Sequence, residues 1–96
     1  MKEEIFDQYA TAVAKMYSLS EEELFAPSKE KNIVDGRYML MLLCKKRPMR
    51  VMRIKREFER RGLLMHHSTI VYGVKVAQSM HRKDIDFASA MKRIVA

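Results

Sequence analysis

Glycine and proline are scarce in this chain, with three Gly and two Pro among 96 residues. That scarcity favours helices joined by short connections. It also removes one catalytic possibility, because three glycines cannot supply a G-x-x-x-x-G-K-Ser/Thr phosphate loop. Tryptophan is absent and cysteine occurs once, as Cys44. A lone cysteine cannot close an internal disulfide, and its place inside MLMLLC reads as a small buried hydrophobe. No eighteen-residue apolar run and no basic–apolar–small N-terminal signal occurs, so a soluble, cytoplasmic protein without a membrane partner is expected. No Cys–His or Ser–His pairing comes with an orienting acid, and His66 and His67 have no Cys or carboxylate at ligand spacing. Neither an enzyme nor a metal or other cofactor is expected.

Apolar residues, by contrast, make up 48% of the chain and charged residues 32%, a balance that supports a folded core. One small domain over residues 1–96 is expected, since no linker or repeat interrupts it. The net charge of +7 is unevenly placed. Residues 1–28 hold two Lys/Arg against six Asp/Glu, residues 29–61 twelve against four, and residues 62–96 five against two. A middle third at net +8 is the footprint of a polyanion partner, or else a solvated basic face.

Hydrophobic spacing predicts an all-α fold of five to six helices. Over 3–17, Ile5, Tyr9, Ala12, Val13 and Met16 recur at three and four, with acids in the first turn. Ser20 and Glu23 form a capping box for a short helix ending near Phe25. Residues 26–33 read as a loop. The segment 34–46 is apolar nearly all round and is expected to be the central helix, with Lys45 and Lys46 in its last turn. Val51, Ile54 and Phe58 share one face of a basic helix over 50–61, and Gly62 suits the position just past its end. Ile70, Val71, Val74, Ala77 and Met80 mark a helix over 68–80, in which Gly73 implies a close neighbour. Asp84 or Asp86 caps a final helix ending near Val95.

The second helix of the 50–80 pair opens with MHHSTIVYGV. Two helices joined by a Gly-containing turn, the first basic and the second opening on short polar side chains, have the build of a helix-turn-helix. Ser and Thr can donate to or accept from a base or phosphate, and His can bond N7 or O6 of a purine. The plainer alternative is that Ser68 caps the helix and the histidines sit in water.

With these pieces in this order, the chain resembles the C-terminal DNA-binding domain of the bacterial replication initiator DnaA, over roughly residues 5–95. VAKMYSLSEEELFAPSK is similar to that family's entry helix and short acidic helix. KEKNIVDGRYMLMLLCKK is similar to its basic loop and central helix, and MHHSTIVYGVKVA to its Gly-Gly-Arg-Asp-His-Ser/Thr-Thr-Val-x-x-Ala signature. The resemblance implies a double-stranded DNA partner. It implies that Lys29 and Lys31 reach the minor groove and backbone, that Arg37 contacts DNA, that Lys45 or Lys46 lies near a phosphate, and that His67, Ser68 and Thr69 form the tip of the recognition helix. His66 stands at the edge of that tip, where the family has Asp, and Arg50 and Arg53 join the basic face by charge. The eight residues ERRGLLMH between Phe58 and His67 exceed the family's turn. The ATPase module of the initiator is not in the chain, so a free-standing domain is expected, acting as a regulator or replication accessory of a bacterium, plasmid or phage. The alternative is a structural or protein-interaction module, for example of a phage particle or replication complex, with Leu63 and Leu64 as its contact.

Overall fold

A computed structural model describes residues 1–95. The described residues form six helices and no strand: α1 Lys2–Met16, α2 Glu21–Leu24, α3 Lys31–Lys46, α4 Val51–Arg60, α5 His67–Lys83 and α6 Ile85–Val95. The all-α expectation holds. No helix among the described residues is long and apolar enough to cross a membrane.

Local chemistry sets most of the boundaries. The Ser20 hydroxyl accepts from the Glu23 amide, and the Glu23 carboxylate accepts from the Ser20 amide, completing the capping box. Asp84 caps α6, its Oδ1 accepting from the amides of Asp86 and Phe87 at 3.0 and 3.2 Å. Gly62, at φ +100°, follows α4 in the left-handed region. There the Gly62 amide donates to the Glu59 carbonyl and the Leu63 amide to the Phe58 carbonyl, the two bonds of a Schellman stop. The loop expected over 26–33 is shorter than the turn residues suggest. Helix α3 already begins at Lys31, whose ammonium pairs with Asp35 one turn on at 2.8 Å, and Ile33 is buried in that first turn.

Helix α3 is the axis of the molecule. Met39 through Cys44 are all buried, with α1 on one side and α5 on the other. Burial pushes the Cys44 thiol up to about 12, with the Glu57 carboxylate adding to the effect, so the thiol stays protonated. Phe6 of α1, Phe25 after α2 and Phe58 of α4 meet edge-on or tilted, with centroids 5.4–5.9 Å apart. Gly73 lets α5 close on α3, since a Cβ there would run into the Met41 side chain and lie 3.2 Å from the Tyr38 ring. One residue departs from the spacing argument. Val71 was counted with the core of α5, yet it is 38% exposed. The buried row is Ile70, Gly73, Val74 and Ala77, and Val71 falls on the flank of the helix, outside that row.

Candidate nucleic-acid interface

Helices α4 and α5 pack together across the turn 61–66. Leu63 closes the Schellman stop and is buried, whereas Leu64 is 80% exposed. The expected Leu63–Leu64 contact surface is therefore reduced to Leu64. The cap of α5 also differs from expectation. Helix α5 opens at His67, and its cap is His66 rather than Ser68: His66 Nδ1 accepts from the Ser68 amide at 3.2 Å and lies 2.8 Å from the Ser68 hydroxyl. Nδ1 is thereby occupied, and Nε2 is the nitrogen that His66 keeps for an external partner. The His66 and His67 rings lie tilted on each other at 4.5 Å.

His67, Ser68 and Thr69 are exposed in the first turn of α5. The same solvent side continues through Val71, Tyr72 and Lys75, and Tyr72 is 62% exposed. Tyr72 and Lys75 were not singled out from sequence. Their spacing of four and seven from Ser68 is the signal that finds them once the buried row is known. Tyr38 of α3 lies beneath Tyr72. Burial, and then the nearby Tyr72 and Asp35, raise its phenol above the usual range.

The basic residues divide by environment. Lys29 is exposed in the loop before α3, and Lys31 is exposed but bonded to Asp35, which raises its ammonium above the usual range. Lys31 lies about 10 Å along the α3 axis from Tyr38. Lys45 continues the row of Tyr38 and Met41, which faces Gly73 of α5. Lys46 does not join it. It lies in the row of Leu42 and lines a hollow together with Gln78 and His81 at the far end of α5. Arg50 and Arg56 are exposed, with no ion pair among the described residues; Arg56 was not anticipated. Arg53 donates to the nearly buried Glu57 at 2.8 Å.

Arg37 is the clearest correction. Its guanidinium is buried, with Nε donating to the Leu24 carbonyl at 2.8 Å, Nη1 to Ser28 at 2.9 Å and Nη2 to Ala26. It holds the α2–α3 connection together and has little surface left to offer DNA. Burial lowers its basicity from the usual value. Much of the +8 segment is likewise used internally. Arg60 and Arg61 both bond Asp7 of α1, at 2.6 and 2.8 Å; Arg61 reaches Glu21 at 2.7 Å and lies 4.5 Å over the Phe25 ring. Lys55 pairs with Glu59.

This is the geometry of a helix-turn-helix domain whose second helix shows its first turns to solvent. Residues 7–76 match the family model for the bacterial DnaA protein helix-turn-helix, and the chain belongs to that family. Domains of the family bind DNA. The comparison with curated proteins gives no match.

Proposed function

We propose that the chain is a double-stranded-DNA-binding module that lays the start of α5 in the major groove. Exposure of a polar and aromatic set at the start of α5 supports this reading most directly: His67, Ser68, Thr69, Tyr72 and Lys75. In a helix-turn-helix, these are the positions whose side chains reach base edges. Lys29 just before α3 and Lys31 at its start, with Lys45, Arg50 and Arg56, supply sequence-independent attraction to the phosphates. His66 contributes through Nε2 alone, and Arg37 and Lys46 drop out of the set. The role that fits such a module is that of a regulator or replication accessory.

Fluorescence anisotropy on a labelled duplex across a salt series tests the reading. The logarithm of the affinity should fall linearly with the logarithm of salt. Selection from random duplexes should then return a preferred site. Absence of duplex binding at low salt would refute the proposal and favour a protein-interaction role centred on the exposed Leu64.

A further inference from the structure

A second surface lies at the other end of α5, about 20 Å along its axis from His67. The ends of α3 and α5 and one side of α6 enclose a cleft of about 490 Å³. Ala88, Met91 and Val95 give it an apolar side, while Lys46, His81 and Lys92 supply positive or imidazole groups. An adjoining hollow shares Lys46 and His81 and adds Arg82. Among the described residues no carboxylate lines either one. Lys46, His81, Arg82 and Lys92 make no ion pair or side-chain hydrogen bond among the described residues, in contrast to Arg60 and Arg61 at the opposite corner. All the lining residues except Leu42 and Lys46 lie past the family-matched span.

We propose that this cleft is the docking site for an acidic amphipathic helix of a partner protein. The unpaired cations select for negative charge. The apolar side argues against a phosphate backbone as the occupant, since phosphates would leave the exposed Val95 uncovered and gain nothing from it. The surface is also elongated. Ile85, 81% exposed, is followed on one row of α6 by Ala88, Lys92 and Val95, which is 60% exposed. That row runs about 15 Å, the reach of three helical turns rather than of a small metabolite. An apolar groove edged with charge is how helix-in-groove recognition works, with anchors at i, i+3, i+4 and i+7. The reading tip of α5 stays free, so duplex and partner can be held together.

The test uses the full chain, isotope-labelled, and a synthetic helix with Leu at those anchor positions and Asp/Glu flanking them. Saturable binding is expected, with amide shifts concentrated at His81, Ser89 and Lys92. Lys92→Glu should weaken the peptide about tenfold, the loss of one well-placed contact. Val95→Ser should weaken it while leaving duplex affinity unchanged. The proposal is overturned if the peptide does not saturate, or if an oligo-glutamate without Leu binds equally well. Shifts that fall instead on His67 to Lys75 would also overturn it, making the peptide a mimic of DNA.

Discussion

The Nε–H of Arg37 donates to the Leu24 carbonyl across thirteen positions of sequence at 2.8 Å, and the same guanidinium also holds the carbonyls of Ala26 and Ser28. A residue expected to touch DNA is therefore a clamp between α2 and α3. Arg37→Ala should destabilise the fold by about 2–4 kcal/mol, because it strips donors from poorly solvated carbonyls. For a chain of this size that lowers Tm by about 8 °C or more. Arg37→Lys should recover little, since one ammonium cannot span three carbonyls held by a planar fork. Calorimetry checks both. A variant with unchanged Tm but weakened duplex binding would return Arg37 to the interface.

The reach of the sequence argument can be judged from such residues. Where structure depends on neighbours in the chain, it was legible: the Ser20–Glu23 box, the Gly62 stop and the apolar run of α3 all form as their spacing implies. The exposed side of α5 was half legible, because His67, Ser68 and Thr69 stand at its start whatever the helix phase. Val71 was misassigned and Tyr72 missed because the phase of IVYGV is set by where Gly73 meets Met41, a tertiary contact. Lys45 and Lys46 are adjacent in sequence but separated by about 100° around α3, so they serve different surfaces. Nothing local distinguishes the free Arg50 from Arg60 and Arg61, whose partner Asp7 lies more than fifty positions away.

Asp7 offers a pH test of the internal pairing. Burial alone would raise its carboxyl, but the hydrogen bonds and charges of Arg60 and Arg61 outweigh that and hold it below its ordinary value of 3.8. A carboxylate depressed in the folded state adds stability that is full above its unfolded value and is lost as pH falls through the folded one. Asp7→Asn should therefore cost about 1 kcal/mol near neutrality, the upper end for partly exposed pairs. The difference from the parent should shrink below about pH 4 and vanish in stronger acid. Urea midpoints measured across that range decide it, and a pH-independent difference would mean that packing, not pairing, is what Asp7 supplies.

His66 should behave as a cap. His66→Ala removes the acceptor of the Ser68 amide and should cost about 1 kcal/mol of stability. His66→Asp restores an acceptor and places negative charge at a helix start, so it should match or exceed the parent in Tm. On duplex DNA the two variants should part company, because Asp adds repulsion from phosphate and accepts from a cytosine amino group where His cannot. Equal stability of all three forms would show that water replaces the cap without cost.

The division between reading and attraction gives the sharpest test of the proposed interface. His67 and Tyr72 are exposed on α5, and neither belongs to the buried row that holds the helix against α3. His67→Ala or Tyr72→Ala should leave Tm near the parent value and cost about 1–3 kcal/mol on a selected site, with little change on random duplex. Lys29 sits in the loop before α3 and reads nothing in this scheme. Lys29→Ala should weaken selected and random duplexes alike and reduce the salt slope by about one unit. Lys31→Ala should do the same by a smaller margin, since its ammonium is already shared with Asp35. Anisotropy titrations of the four variants on both duplexes separate the outcomes. If His67→Ala and Tyr72→Ala weaken both duplexes equally, α5 lies on the backbone and not in the groove. If neither variant changes anything while Lys29→Ala does, the duplex is held by charge alone and the exposed row of α5 is not its reader.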